Sequence, residues 1–167
     1  MGTEEHKAQA PKAVSLVILS MSSTRTLEED ESGHWMTETA KNLGHMILSH
    51  QILKDDKDVI NHSVKNVIES LKPDVILMTG GTGLTPSDVT IEAVRCMFRK
   101  EIPAFATLFA LESQKQIGAA ALLSRAAAGI IRDTAVFCMP GSLKGCRLAC
   151  ESIIFPELTH LVKHIHD

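Results

Sequence analysis

Thirteen residues, Met78 to Thr90, constrain the fold more than any other part of the chain. They read Met-Thr-Gly-Gly-Thr-Gly-Leu-Thr-Pro-Ser-Asp-Val-Thr and follow the short apolar run Val75-Ile76-Leu77. That run predicts a buried strand, and a helical pattern begins near Val89. A glycine-rich turn between strand and helix lets backbone N–H groups approach an anion closely. The helix adds its positive N-terminal end to the same place. Asp88 stands at the mouth, where a carboxylate can hold a divalent cation. Glycines, helix end and acid together point to phosphate chemistry with a metal.

The remainder of the chain repeats the strand-then-helix order. Strands are expected at Ala13–Leu19, Gln51–Leu53, Asp74–Thr79 and Thr134–Met139. Helical spacing is expected over His34–Leu48, Val59–Leu71, Val89–Arg99, Ala104–Gln114 and Leu143–Ile153. Pro156 is expected to break the last of these before a terminal helix that runs to about Ile165. Asp88 or Thr90 is expected to cap the helix at Val89. Ala119–Ala128 is small and apolar and fits either state. This order predicts an α/β fold of three layers, a mostly parallel sheet with helices on both faces. Met1 to Lys12 is polar and reads as a flexible tail before a single domain over 13–167. Ligands in such folds bind beyond the carboxyl ends of the strands. The loops Ser20–Arg25, Thr79–Asp88 and Pro140–Ser142 should therefore converge.

Composition narrows the function classes. The chain has 167 residues, 44% hydrophobic, with a formal net charge of −3. That balance gives no support for nucleic-acid binding, and 4% aromatics with no Tyr offers few base-stacking platforms. No apolar run is long enough to span a membrane. Cys96, Cys138, Cys146 and Cys150 form no Cys-x-x-Cys pair and read as reduced thiols of a cytoplasmic protein.

The candidate site residues each have a plainer reading. Gly80-Gly81-Thr82-Gly83 lacks the Gly-Lys-Ser/Thr of a P-loop and the third glycine of a dinucleotide fingerprint, so an ordinary tight turn is the alternative. Asp88 is either a metal ligand or a helix N-cap. Asp55 is either a second carboxylate of the site or a solvated acid beside Asp56 and Asp58. Ser124-Arg125 offers a hydroxyl and a bidentate phosphate donor, or a surface arginine. Pro140-Gly141-Ser142 offers a second backbone nest, or a turn and cap. The acids Glu28–Glu31 read as a solvated loop bordering the site. His160, His164 and His166 have spacing compatible with a weak metal site, or with a solvated terminal helix.

Taken together these segments resemble a known family. Thr79-Gly80-Gly81-Thr82-Gly83-Leu84-Thr85-Pro86-Ser87-Asp88-Val89-Thr90 is similar to the signature of the MoaB/MogA proteins of molybdenum cofactor biosynthesis. Leu123-Ser124-Arg125-Ala126 and Met139-Pro140-Gly141-Ser142 resemble two further motifs in the family's order. Glu29-Asp30-Glu31-Ser32-Gly33 resembles its Asp-x-Ser-Gly segment, and Lys54-Asp55-Asp56 falls where the family carries its other functional aspartate. Cys146-Arg147 after the Pro-Gly-Ser turn looks closer to the MoaB branch. The resemblance implies a molybdopterin-binding fold that assembles as a homotrimer or homohexamer. It implies adenylylation of molybdopterin by Mg²⁺-ATP with release of pyrophosphate, the product serving a molybdenum or tungsten cofactor. It implies Asp55 and Asp88 as catalytic and metal-binding acids, and a downstream metal-insertion protein as a partner. Thr79, Gly80, Gly81, Thr82, Gly83, Ser124, Arg125, Pro140, Gly141 and Ser142 would bind substrate and phosphate. Ser23, Ser87 and Thr107 stand where the family commonly has Asp, Arg and Glu. Those departures motivate an alternative, a molybdopterin-binding carrier without turnover.

Overall fold

The computed structural model describes residues 11–167, so residues 1–10 of the expected tail lie outside the described residues. Six strands form one sheet: β1 (Ser15–Met21), β2 (Met46–Leu53), β3 (Val75–Thr79), β4 (Lys100–Glu101), β5 (Ala127–Ile131) and β6 (Thr134–Met139). Their order is β2-β1-β3-β6-β5-β4. β2, β1, β3 and β6 run parallel, while β5 pairs antiparallel with both β6 and β4.

Strand side chains alternate between the two faces of the sheet, and here each face has its own core. Leu16, Ile18, Val75, Leu77, Phe137 and Met139 pack on one side. They meet Met36 of α1 (Glu31–Asn42), Phe105 and Phe109 of α4 (Pro103–Ile117), Cys146 and Leu148 of α5 (Leu143–Ala149), and Leu158 and Val162 of α6 (Phe155–His166). Val17, Leu19, Ile76, Met78 and Val136 pack on the other. They meet Ile60, Val64, Val67 and Ile68 of α2 (Lys57–Leu71) and Ile91 and Val94 of α3 (Thr90–Arg95). Burial on both faces explains why the central strands read as continuous apolar runs. Each fully buried Leu or Ile contributes about 1.5–3 kcal/mol of transfer free energy. The three-layer α/β architecture is therefore as the sequence predicts.

Several boundaries differ from expectation. The helix expected over His34–Leu48 starts at Glu31, where Asp30 caps it, and stops at Asn42. Gly44, at φ +87°, turns the chain, and Met46–Leu48 joins a long β2 instead. The helix expected over Val89–Arg99 is only Thr90–Arg95, and its N-cap Val89 makes no side-chain bond. Asp88 and Thr90 are thus not its caps. The ambiguous segment divides into a 3₁₀ turn, Gly118–Leu123, and the strand β5. Pro156 does not break the terminal helix. A π-helical turn at Cys150–Ile154 joins α5 to α6 in one continuous helical run, and Pro156 follows directly after that widened turn. The two-residue strand β4 is too short to show a period.

Candidate functional site

β1, β3 and β6 are neighbours and parallel, so their carboxyl ends deliver three loops to one place. The loops meet backbone to backbone. Gly80 N–H donates to the Met139 carbonyl at 3.1 Å. The Thr79 hydroxyl donates to the Pro140 carbonyl at 2.9 Å. A Cβ on Gly80 would lie 2.5 Å from the Met21 carbonyl oxygen, and one on Gly141 would lie 3.2 Å from the Gly80 Cα. Gly80 and Gly81 also adopt φ of +92° and +62°, which side chains resist. Sequence and geometry agree here, because only glycine permits this convergence.

Thr90 anchors the far side of the glycine loop. It is fully buried, its hydroxyl donates to the Gly80 carbonyl at 2.8 Å, and its N–H donates to the Gly81 carbonyl at 3.0 Å. The two aspartates flank the loop at different glycines. A Cβ on Gly81 would meet Asp55 Oδ1 at 3.2 Å, and one on Gly83 would meet Asp88 Oδ2 at 2.7 Å. Asp55 is fixed from the loop after β1. The Ser23 hydroxyl donates to Asp55 Oδ2 at 2.9 Å. Asp88 closes its own turn, accepting from the Thr85 hydroxyl at 2.7 Å and the Thr85 N–H at 2.9 Å. The Thr85 hydroxyl leads in holding the Asp88 carboxyl below the usual range, with the Arg125 charge helping. Asp88 is therefore an ionised oxygen donor at neutral pH, and carboxylate oxygens are the donor type a hard cation such as Mg²⁺ takes.

A cavity of about 240 Å³ opens over the loop. Gly80, Gly81, Thr82, Gly83, Asp88, Ser124, Arg125, Pro140 and Gly141 all line it, together with Leu123. Three expected residues stand off its wall. Thr79 is buried behind it, bonded to Pro140. Ser142 caps α5, accepting from Gly145 N–H at 3.1 Å. Asp55 borders Gly81 from the side of the loop after β1.

Arg125, on the cavity wall, is also engaged within the chain. Its Nε donates to the carbonyls of Thr82 and Gly83, both at 3.0 Å, and its Nη atoms grip both carboxylate oxygens of Glu92. Its guanidinium thus fastens the glycine loop to α3, and Glu92, the partner, has no motif that would reveal it in sequence.

Asp30 also departs from the solvated acidic run in which it sits. It is fully buried. Its Oδ2 accepts from the Ser20 hydroxyl at 2.5 Å and lies 2.7 Å from His50 Nε2, while Oδ1 accepts from Gly33 N–H at 3.1 Å. Arg25, half-exposed, stands 3.9 Å away. Burial pushes this carboxyl up, but the hydrogen bonds from His50, Ser20 and Gly33 prevail and bring it down to about 2. Asp30 therefore ties the end of β1, the start of α1 and the edge strand β2 together beneath the site. Ser32, two residues on, donates to the Gly141 carbonyl at 3.0 Å and fixes the third loop. The signal available in sequence was the N-cap pattern at Asp30, masked by the acids around it.

Among the described residues no cysteine lines the cavity. All four cysteines are free. Burial pushes Cys138 up to about 12, and it raises Cys146 and Cys150 as well.

Residues 17–160 match the family model described as "probable molybdopterin binding domain". The molybdenum cofactor biosynthesis protein B of Bacillus subtilis (strain 168) is 43% identical over 166 residues, covering 99% of this chain and 98% of its own. A crystal structure of a molybdenum cofactor biosynthesis protein B superposes with a TM-score of 0.90 at 45% identity, over 95% of this chain and 99% of that one. The crystal structure of the tungsten cofactor synthesizing protein MoaB from Pyrococcus furiosus gives 0.82 at 34%, over 95% and 100%.

Proposed function

The chain belongs to the MoaB/MogA family of molybdenum cofactor biosynthesis proteins, and from that premise we propose that it adenylylates molybdopterin with Mg²⁺-ATP. The carrying observation is the pair of aspartates fixed on either side of one glycine loop, Asp55 by Ser23 and Asp88 by Thr85. In this reading the terminal phosphate oxygen of molybdopterin attacks the α-phosphorus of ATP, a new P–O–P bond forms, and pyrophosphate leaves. Backbone N–H groups of Gly81, Thr82 and Gly141 cradle phosphate oxygens, and the Ser124 hydroxyl donates to one of them. Asp55 and Asp88 hold the Mg²⁺, which when bound neutralises phosphate charge. The chain's contribution is positioning and electrostatics, so no covalent nucleophile is required.

Asp88→Asn keeps the Thr85 hydrogen bonds in size and removes the charge. Pyrophosphate release from ATP, measured with molybdopterin and Mg²⁺, is expected to fall by about 10²-fold or more. Release at the wild-type rate would overturn the proposal.

One observation favours a carrier without turnover. Arg125, the only arginine among the described residues lining the cavity, already directs donors to Glu92 and the loop carbonyls. That reading requires molybdopterin binding with no pyrophosphate release under any divalent metal.

We also infer a homo-oligomer, a trimer or hexamer, assembled through the arm formed by α4 and the 3₁₀ turn. Leu108, Leu111, Leu122 and Leu123 are exposed there by 46, 56, 84 and 61%. Leucines so exposed on one short arm suit a buried interface rather than solvent. Leu123 also borders the cavity, so the assembled neighbour would abut the site.

A further inference from the structure

The terminal helix carries a histidine pair that the site over the glycine loop does not use. His160 and His164 are four residues apart, so they share one face of α6 one turn apart. Their Nε2 atoms face each other at 2.9 Å. On the other side of the first ring, His160 Nδ1 lies 3.1 Å from Glu157 Oε2. A carboxylate only accepts, so His160 carries its proton on Nδ1. In the neutral ring this leaves the lone pair on Nε2, aimed at His164. Carboxylate, imidazole and outward lone pair form the arrangement by which proteins orient a metal-binding histidine. His166 is turned elsewhere, with its Nε2 3.8 Å from Asp74.

The spacing fits one coordination geometry better than another. With metal–nitrogen bonds of about 2.0–2.1 Å, a 2.9 Å separation subtends about 90°. A tetrahedral ion would hold the two nitrogens about 3.3 Å apart at the same bond length. Ninety degrees is the cis angle of square-planar and octahedral ions, and imidazole suits Ni²⁺ and Cu²⁺. Among the described residues no third His, Cys, Asp or Glu joins the pair.

We propose that His160 and His164 form a two-ligand site for a borderline divalent transition ion, Ni²⁺ or Cu²⁺, bound cis and oriented by Glu157. The ion enters between the two Nε2 atoms, and the proton on His164 Nε2 moves to its own Nδ1 by exchange with solvent, so that both rings ligate as neutral imidazoles. The hard-ion donors Asp55 and Asp88 and this imidazole pair would then discriminate between metals by ligand chemistry, each at its own place in the fold.

The test is calorimetric titration of the tag-free, full-length chain with NiCl₂, alongside electron paramagnetic resonance at substoichiometric Cu²⁺. One Ni²⁺ per chain is expected. His160→Gln and His164→Gln should each weaken it at least tenfold, and Glu157→Gln by about tenfold. His62→Gln, at an exposed histidine on α2, should leave it unchanged. The Cu²⁺ spectrum should show two equatorial nitrogens. Absence of saturable binding at millimolar Ni²⁺, or unchanged affinity in the His160→Gln/His164→Gln double variant, would overturn the site. Zn²⁺ binding tenfold tighter than Ni²⁺ would overturn its cis geometry. The spectrum of the wild-type chain decides the matter even where a variant folds poorly.

Discussion

The loop junction at the carboxyl ends of β1, β3 and β6 and the arm from Pro103 to Leu123 place opposite demands on their surroundings. In the junction, polar backbone is brought close and satisfied within the chain. Gly80 N–H, the Thr79 hydroxyl, the Thr90 hydroxyl and the Ser32 hydroxyl each find a carbonyl of a neighbouring segment. In the arm, apolar side chains are brought to the surface and satisfied by nothing within the described residues. Its helix buries Phe105 and Phe109 on one side while Leu108 and Leu111 face outward. The contrast separates two sorts of constraint. The junction is specified by geometry that any single copy must obey, whereas the arm, in the proposed oligomer, is specified by the copy that covers it.

The strongest way to break this comparison is Gly80→Ala. At φ +92° a side chain is strained, and its Cβ would lie 2.5 Å from a backbone oxygen of Met21, which cannot swing aside. A loss of about 3 kcal/mol or more is expected in urea unfolding. A loss below about 1 kcal/mol would mean that the junction yields readily and does not position the site.

Acid offers the next largest effect. The native Asp30 carboxyl titrates at about 2, against 3.8 for the free group. The native state thus holds this proton more weakly than the unfolded chain does. The stabilisation is complete above the unfolded value and is lost as pH falls from about 4 towards 2, amounting to about 2 kcal/mol. Unfolding free energies at pH 6 and pH 2.5 should differ by about 1.5 kcal/mol more in the wild type than in Asp30→Asn, since part of the stabilisation persists at pH 2.5. An identical pH dependence in the two proteins would remove Asp30 from the support of the junction.

The legibility of the sequence follows the same division. β3 and β6 could be read from Val75–Leu77 and Thr134–Met139, because burial on both faces leaves only apolar residues. The cavity wall could be read from Gly80–Gly83 and Pro140-Gly141, because close backbone approach demands those residue types. Asp30 could not be read as buried, since its burial depends on Ser20, Gly33 and His50 meeting it from three separate segments. Nor could Arg125 be assigned to Glu92, a partner 33 residues away whose exposed helical position looks like any other acid. The boundary at Gly44 escaped because apolar spacing continues past it into β2. Local pattern thus carries backbone geometry, while long-range polar pairing has no period to detect.

The arm gives the smallest effect on folding and the clearest on assembly. Leu122 is 84% exposed and Leu123 61%, so replacing both with Asp removes little that a single chain buries. The unfolding free energy of the isolated chain is expected to change by no more than about 0.5 kcal/mol per substitution. A partner copy, however, would have to bury two carboxylates in an apolar contact, at a cost of several kcal/mol each. Light scattering at micromolar concentration should therefore show the wild type as an oligomer and Leu122→Asp/Leu123→Asp as a monomer. If both have the same mass, the leucines face solvent by default and the arm is not an interface. If the variant is a monomer that also loses ATP binding, the neighbour at Leu123 completes the cavity, and the two regions act as one site.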